Sequence, residues 1–383
     1  MTSTPPTNIQ MVDLRTQYEA MQEEVDQAVL EVIRGGAFIN GPAVKDFQSG
    51  LENYLGCKHV IPCANGTDAL QIALMALGLK PGDEVIVPAF TYVASAEVIA
   101  LLGLSPVMVD VDPFTFNVTA ELIEPAITPR TRAIIPVHLF GQSCDMEPIR
   151  RLAERHDLRI VEDNAQAIGA AYTFSDGRVG RTGTLGDIGC TSFYPSKNLG
   201  AYGDGGAINT DDDALAARLR TVANHGQNRR YYHDVVGCNS RLDSVQAAIL
   251  NCKLPRLDDY NASRQSAARY YDQQLAGIEG LLPPARLPSS THVYHQYTLR
   301  VTDGRRDALQ QYLQEAGIPS MIYYPVPLYD QGAFRGTAAN KIDFLPVTDT
   351  LCKEVISLPM HSELDEATQQ YICDRVRSFF GSK

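Results

Sequence analysis

From residue 59 onward the chain alternates short runs of apolar residues with stretches of helical periodicity. This alternation restricts the fold more than any other feature. HVIPCA (59–64) reads as a strand and TDALQIALMALGL (67–79) as a helix, and EVIVPAF (84–90) with YVASAEVIALLG (92–103) repeats the pair. PVMVDV (106–111), RAIIPVHLF (132–140) and LRIVED (158–163) continue as strands, with helical patterns around 119–127 and 145–156 between them. DIGCTSFY (187–194) and GAINT (206–210) close the series. Strands that are apolar throughout need cover on both faces. The expected fold is therefore α/β, with a mostly parallel central sheet between layers of helix.

A chain of 383 residues exceeds one typical core. Residues 1–255 are read as a large domain that includes an amphipathic segment at 19–36, ended by Gly35-Gly36. Residues 240–277 read as one long helix, broken or kinked at Pro255. Beyond it, HQYTLRV (295–301), a helix near 305–316 and IPSMIYYPV (318–326) suggest a smaller C-terminal α+β domain, taken as 256–383.

The net charge of −12 argues against a nucleic-acid partner, yet local arginines can still bind small anions. The eight cysteines form no C-x-x-C pair and have mostly apolar neighbours, as reduced thiols of a cytoplasmic protein do. MTSTPPTNIQMVDL lacks the basic and apolar regions of a signal peptide, and no apolar run approaches a membrane span. The eight histidines are scattered without metal-binding spacing, so no metal site is expected.

Chemistry concentrates at strand ends. TSFYPSKNLGAYGDGGA (191–207) holds a single basic residue, Lys197, just past a strand and ahead of four glycines. Such a lysine is either a surface side chain or an amine that forms a Schiff base and moves protons. Asp163 ends LRIVED, where ligands of open α/β sheets bind. It is either a turn or cap residue or a fixed charge that keeps a heterocyclic nitrogen protonated, as in pyridoxal phosphate (PLP) enzymes. NGTDAL (65–70) offers a phosphate cradle: Gly66 admits close approach, and Thr67 opens a helix. Ser192 can add a second hydroxyl, and Phe90, ending EVIVPAF, is either core or a ring that stacks on a cofactor. Gly203 and Gly205 are not followed by the third glycine of a dinucleotide fingerprint, since Ile208 stands there. NHGQNRRYYHDVVGCNSRLD (224–243) concentrates Arg229, Arg230 and Arg241 and reads as a solvated loop or an anion-binding one.

The order NGTDAL, EDNAQ, TSFYPSKNLGAYGDGGA, GCNSRLDSVQAAIL resembles the DegT/DnrJ/StrS sugar aminotransferases, PLP-dependent enzymes of the aspartate aminotransferase fold, over nearly the whole chain. The resemblance implies that Lys197 is the Schiff-base lysine and general acid/base, and that Asp163 is the partner of the pyridine nitrogen. It places Gln166 beside the ring, Phe90 stacked on it, and Gly66, Thr67 and Ser192 around the phosphate. It further implies a homodimer in which Asn239 reaches the neighbouring subunit's phosphate. His225, Arg229 and Arg241 would lie near that subunit's sugar nucleotide, and Tyr323 and Tyr324 would face substrate. Having lysine, not histidine, at 197 separates the chain from the family's dehydrating branch. The implied reaction carries an amino group from L-glutamate to a keto group, at C-3, of a nucleotide-linked sugar. The acceptor would be a UDP-2-acetamido-3-oxo sugar or a dTDP-3-oxo-6-deoxyhexose. Some uronate-using relatives have His-Tyr-Pro where Tyr323-Tyr324-Pro325 stands, a departure that weighs against a uronate. The alternatives are a 4-keto sugar aminotransferase and a non-catalytic PLP-binding regulator.

Overall fold

The computed structural model describes residues 8–335 and 344–381. The chain opens with α1 (Leu14–Glu19), α2 (Gln22–Gly35) and α3 (Pro42–Leu55). It then alternates β1 (His59–Cys63), α4 (Gly66–Ala76), β2 (Glu84–Pro88), α5 (Ala94–Leu101), β3 (Ser105–Val109), α6 (Ala120–Ile123), β4 (Thr131–Ile134), α7 (Met146–Arg155) and β5 (Arg159–Asp163). The hairpin β6 (Ala171–Thr173) and β7 (Val179–Arg181) leads to β8 (Ile188–Ser192), β9 (Gly206–Thr210) and α8 (Asp213–Ala223). A second hairpin, β10 (Gln227–Arg229) and β11 (Tyr232–His233), precedes α9 (Ser244–Lys253) and α10 (Leu257–Leu275). The C-terminal part holds β12 (Leu281–Leu282), β13 (Tyr297–Val301), α11 (Arg306–Glu315), α12 (Pro346–Glu354), β14 (Val355–Leu358) and α13 (Glu366–Gly381).

Seven strands form one sheet in the order β1-β9-β8-β5-β4-β2-β3. The pairs β3/β2, β2/β4, β4/β5 and β5/β8 are parallel, as the continuous apolar runs require. β9 runs antiparallel to both β8 and β1. The reason is local: residues 193–205 turn back directly, without the crossover that a parallel neighbour needs. That return loop carries Lys197 and brings it to the carboxyl end of β8, on the rim where β1, β2 and β5 also end.

Pro255 breaks the 240–277 segment as expected, with a short 3₁₀ turn at Leu254–Arg256 between α9 and α10. The N-terminal segment ends at Gly35-Gly36 as read, with Gly36 in the left-handed conformation, but its helix starts at Gln22 and not at residue 19. It pauses between α1 and α2, where Met21 turns inward and packs with Val25, Ile249 and Cys252. The stretch 318–326 adds only a bridge from Met321 to Ser357, and β13 pairs instead with β14.

The main core lies between the sheet and its helices, and a second core unites α10, α11 and α13 with β12–β14 through Tyr271, Tyr297, Leu309, Ile356 and Ile372. The two are stitched together. Leu328, Leu351 and Cys352 pack into the main core, and the buried Asp110 carboxylate accepts from the backbone N–H groups of Val347 and Thr348 at the start of α12. Two otherwise unpaired helix-start donors are thereby satisfied from the sheet side. Among the described residues no helix is long and apolar enough to cross a membrane.

Candidate active site

The loops leaving β1, β2, β5 and β8 open into one cavity of about 850 Å³, closed on its far side by residues of the C-terminal part. Gly66, Thr67, Asp163, Gln166, Ser192, Lys197, Tyr323 and Tyr324 all line it, together with Tyr92, Tyr194, His295 and Gln296.

Asp163 is the last residue of β5 and is 6% exposed. Its Oδ2 accepts from the Ser95 hydroxyl at 2.7 Å and its Oδ1 from the Ala165 N–H at 3.1 Å. Two donors on different oxygens fix the carboxylate plane. Lys197 sits in a turn whose N–H donates to the Tyr194 carbonyl at 2.8 Å. Burial pulls its ammonium down to about 8, and the attraction of Asp163 opposes that pull. A substantial fraction of the amine is therefore neutral near physiological pH, as a nucleophile or base must be.

The phosphate-sized corner is built by close backbone approach. A Cβ on Gly66 would stand 2.7 Å from the Cβ of Ser192, so only glycine lets α4 begin against β8. Asn65 caps α4 by accepting from the Asp68 N–H at 2.8 Å. The N–H groups of Gly66 and Thr67 have no partner four residues back and face the cavity end of the helix. Gln166 is oriented by two bonds. Its Oε1 accepts from the Phe140 N–H at 2.7 Å, which turns its amide N–H toward the Tyr324 hydroxyl at 3.2 Å. Burial raises the Tyr324 phenol well above its ordinary range, so it stays a hydroxyl.

Phe90 needs correction. It does not line the cavity; it is 1% exposed and packs edge-on to Phe140 and Tyr324 in the core. The aromatic ring that this segment puts at the wall is Tyr92, two residues later and 57% exposed. Residues 84–91 are buried without a break, so the chain reaches the open rim only after Thr91. The pattern that made EVIVPAF a strand carried its last ring inward as well.

His225, Arg229, Asn239 and Arg241 lie outside the cavity of their own chain. They gather on the arm around β10 and β11. There Arg229 stacks 3.6 Å over the Tyr232 ring, and Arg241 donates to the side-chain oxygens of Asn239 and Asn224.

A buried pair behind Asp163 was not anticipated. His138 accepts at Nδ1 from the Cys144 N–H at 3.1 Å, so its proton is on Nε2 and is donated to Glu162 at 2.7 Å. Glu162 also accepts from the N–H groups of Gly183, Leu185 and Gly186 at 2.6–2.8 Å. The His138 N–H donates to the Asp163 carbonyl and the Asp163 N–H to the Pro136 carbonyl, so this network holds the strand end that aims Asp163. The adjacent Glu-Asp pair at a strand end was its one local signal: strand neighbours face opposite sides.

These residues fit PLP. A lysine with a depressed pKa, an acid fixed by two donors and a glycine-walled helix start surround one cavity. Residues 19–377 match the DegT/DnrJ/EryC1/StrS aminotransferase family model. The chain is 47% identical to a Pseudomonas aeruginosa protein named UDP-2-acetamido-2-deoxy-3-oxo-D-glucuronate aminotransferase, over 95% of this chain and 98% of that one. It is 46% identical to a Geobacillus stearothermophilus protein named pleiotropic regulatory protein, over 97% and 99%. The crystal structure of S. venezuelae DesV in complex with a ketimine intermediate superposes with a TM-score of 0.93 at 41% identity, covering 98% of this chain and 99% of that one. The chain thus belongs to the DegT/DnrJ/EryC1/StrS aminotransferase family, PLP-dependent sugar aminotransferases of the aspartate aminotransferase-like fold.

Proposed function

We propose that the protein transfers an amino group from L-glutamate to the C-3 keto group of a nucleotide-linked sugar, either a UDP-2-acetamido-3-oxo sugar or a dTDP-3-oxo-6-deoxyhexose. The observation that carries this reading is the convergence of Lys197 and Asp163 on one cavity whose corner is shaped by Gly66 and Ser192. Bound there, PLP supplies an electron sink for charge developing at the carbon next to the amine. Asp163 holds the proton on the ring nitrogen, and the N–H groups of Gly66 and Thr67 with the Ser192 hydroxyl hold the phosphate. Gln166, tied to Phe140 and Tyr324, would orient the bound group, and Tyr92 would pack against it. Lys197 moves the proton, because its amine is neutral over part of the physiological range.

Among the described residues that line the cavity, Lys197 is the one lysine or arginine, against the carboxylates of Asp68, Asp163 and Asp204. A diphosphate or the carboxylates of glutamate need further cations. The arm that carries His225, Arg229 and Arg241 also exposes Tyr231 and Val236, which favours a homodimer. In it the arm of each copy, with Asn239, completes the other's cavity, and Tyr323 and Tyr324 face the sugar. Cytoplasmic residence is part of the same reading, since nucleotide sugars are cytoplasmic metabolites.

The pH dependence follows from the lysine. Only its neutral form adds to an aldehyde, and its pKa is held at about 8. The rate at which the cofactor-free protein reacts with PLP is expected to rise roughly tenfold per pH unit below 8 and to level off above it. Stopped-flow absorbance measures this, and a flat profile from pH 6 to 8 contradicts the assignment.

The function itself is tested with the PLP-loaded protein, L-glutamate and two acceptors, a 3-oxo and a 4-oxo nucleotide sugar. The expected result is a shift of the cofactor band from ~420 nm to ~330 nm with glutamate, as the protein-tuned chromophore changes form. An amino sugar should then form from the 3-oxo acceptor. Product from the 4-oxo sugar alone moves the reading to C-4. A spectrum indifferent to glutamate removes the transaminase reading.

A further inference from the structure

Lys253, near the end of α9, is 1% exposed, and among the described residues its ammonium has one hydrogen-bond acceptor, the Gly200 carbonyl at 2.7 Å. The ammonium also lies 4.8 Å from the centre of the Tyr202 ring. Among the described residues no carboxylate pairs with it. Burial alone drives its pKa down to about 8. An ammonium buried without a counter-charge is costly, and an apolar side chain of similar length would fill the same space without that cost.

What the ammonium holds is the loop after Lys197. Gly200 is folded tightly onto the start of that loop: a Cβ there would stand 2.2 Å from the Pro195 carbonyl oxygen. Displacing Gly200 therefore displaces the turn at 195–198 that presents Lys197. Gln246 stands seven residues before Lys253, on the same face of α9. It accepts from the Tyr202 N–H at 2.8 Å. Two side chains of one rigid helix thus grip the loop at Gly200 and Tyr202, three and five residues past Lys197.

We propose that Lys253, with Gln246 beside it, is a positioning residue for Lys197: its hold on Gly200 sets the direction in which the Lys197 amine enters the cavity. The inference rests on Lys197 being the residue that bonds PLP. It is tested on the full-length protein freed of cofactor, with the rate of lysine–PLP adduct formation followed by absorbance and thermal unfolding followed in parallel. Lys253→Met is expected to form the adduct at least tenfold more slowly while its Tm stays within about 3 °C of wild type, since removing an unpaired buried charge offsets the lost bond. Lys253→Arg, which keeps a cationic donor, should recover most of the rate. If Lys253→Met does not fold, Gln246→Ala decides, with an expected slowing of threefold or more. A folded Lys253→Met, or in its place Gln246→Ala, that reacts at the wild-type rate overturns the inference, whatever its Tm. A wild-type protein that forms no adduct overturns the role of Lys197 and this inference with it.

Discussion

Lys197→Ala is expected to give a folded protein whose turnover falls by at least about 10⁴-fold and which lacks the long-wavelength band of lysine-bound PLP. Two losses combine. Among the described residues lining the cavity, the amine alone can both bond the cofactor aldehyde and, with its pKa near 8, give and take a proton at working pH. No neighbour substitutes for it. The Tyr324 phenol is held too high, and His295, buried and close to the lysine charge, is held far below neutrality. The lysine's backbone place depends on the Tyr194 carbonyl and on Asn198, whose amide donates to Asn261 and to the Val293 carbonyl. The turn therefore survives the substitution. Lys197→Arg is expected to be as inactive, since a guanidinium neither loses its proton nor adds to an aldehyde in this range. Either variant with more than about 1% of wild-type activity contradicts the role assigned to Lys197.

Asp163→Asn separates charge from shape. The amide keeps the size of the carboxylate, and its oxygen can still accept from Ser95 at the 2.7 Å site. What is lost is the negative charge that keeps a proton on the ring nitrogen, together with the acceptor for the Ala165 N–H. The rate of the glutamate half-reaction is expected to fall by about 10²- to 10³-fold, while the lysine–PLP adduct still forms. A second effect has a definite sign. Asp163 raises the Lys197 pKa against burial, so its neutralisation lets that pKa fall further. The pH profile of adduct formation in Asp163→Asn should therefore level off below pH 8. A rate within threefold of wild type, with the profile unmoved, would show that Asp163 is a turn residue and not the ring's counter-charge.

Much of this architecture was legible because its causes are local. Gly66 and Thr67 in NGTDAL announce a close helix start, Pro255 announces a break, and apolar runs such as EVIVPAF announce buried parallel strands. Lys197 and Asp163 stood out because polar residues directly after such runs land on the rim of the sheet. Phe90 was misjudged because position at a strand end does not tell which way a side chain points. The uninterrupted burial of 84–91 sent that ring into the core and left Tyr92 at the wall.

Of the residues that complete the cavity, His295 and Gln296 had no signal in the sequence, and Tyr323 and Tyr324 came only from the family resemblance. His295, Gln296, Tyr323 and Tyr324 reach it from more than ninety residues beyond Lys197, and Ser95 meets Asp163 from a helix sixty-eight positions earlier. Nothing in the sequence marks out Lys253, and only the return loop packed against α9 buries its ammonium. Periodicity, caps and turn residues are properties of a few neighbouring positions. The sequence by itself therefore determined the layered α/β plan and the sites of the lysine and the acid. Tertiary structure alone decided which side chains face each other, because the partner of a buried polar group is chosen by the packing of segments distant in the chain.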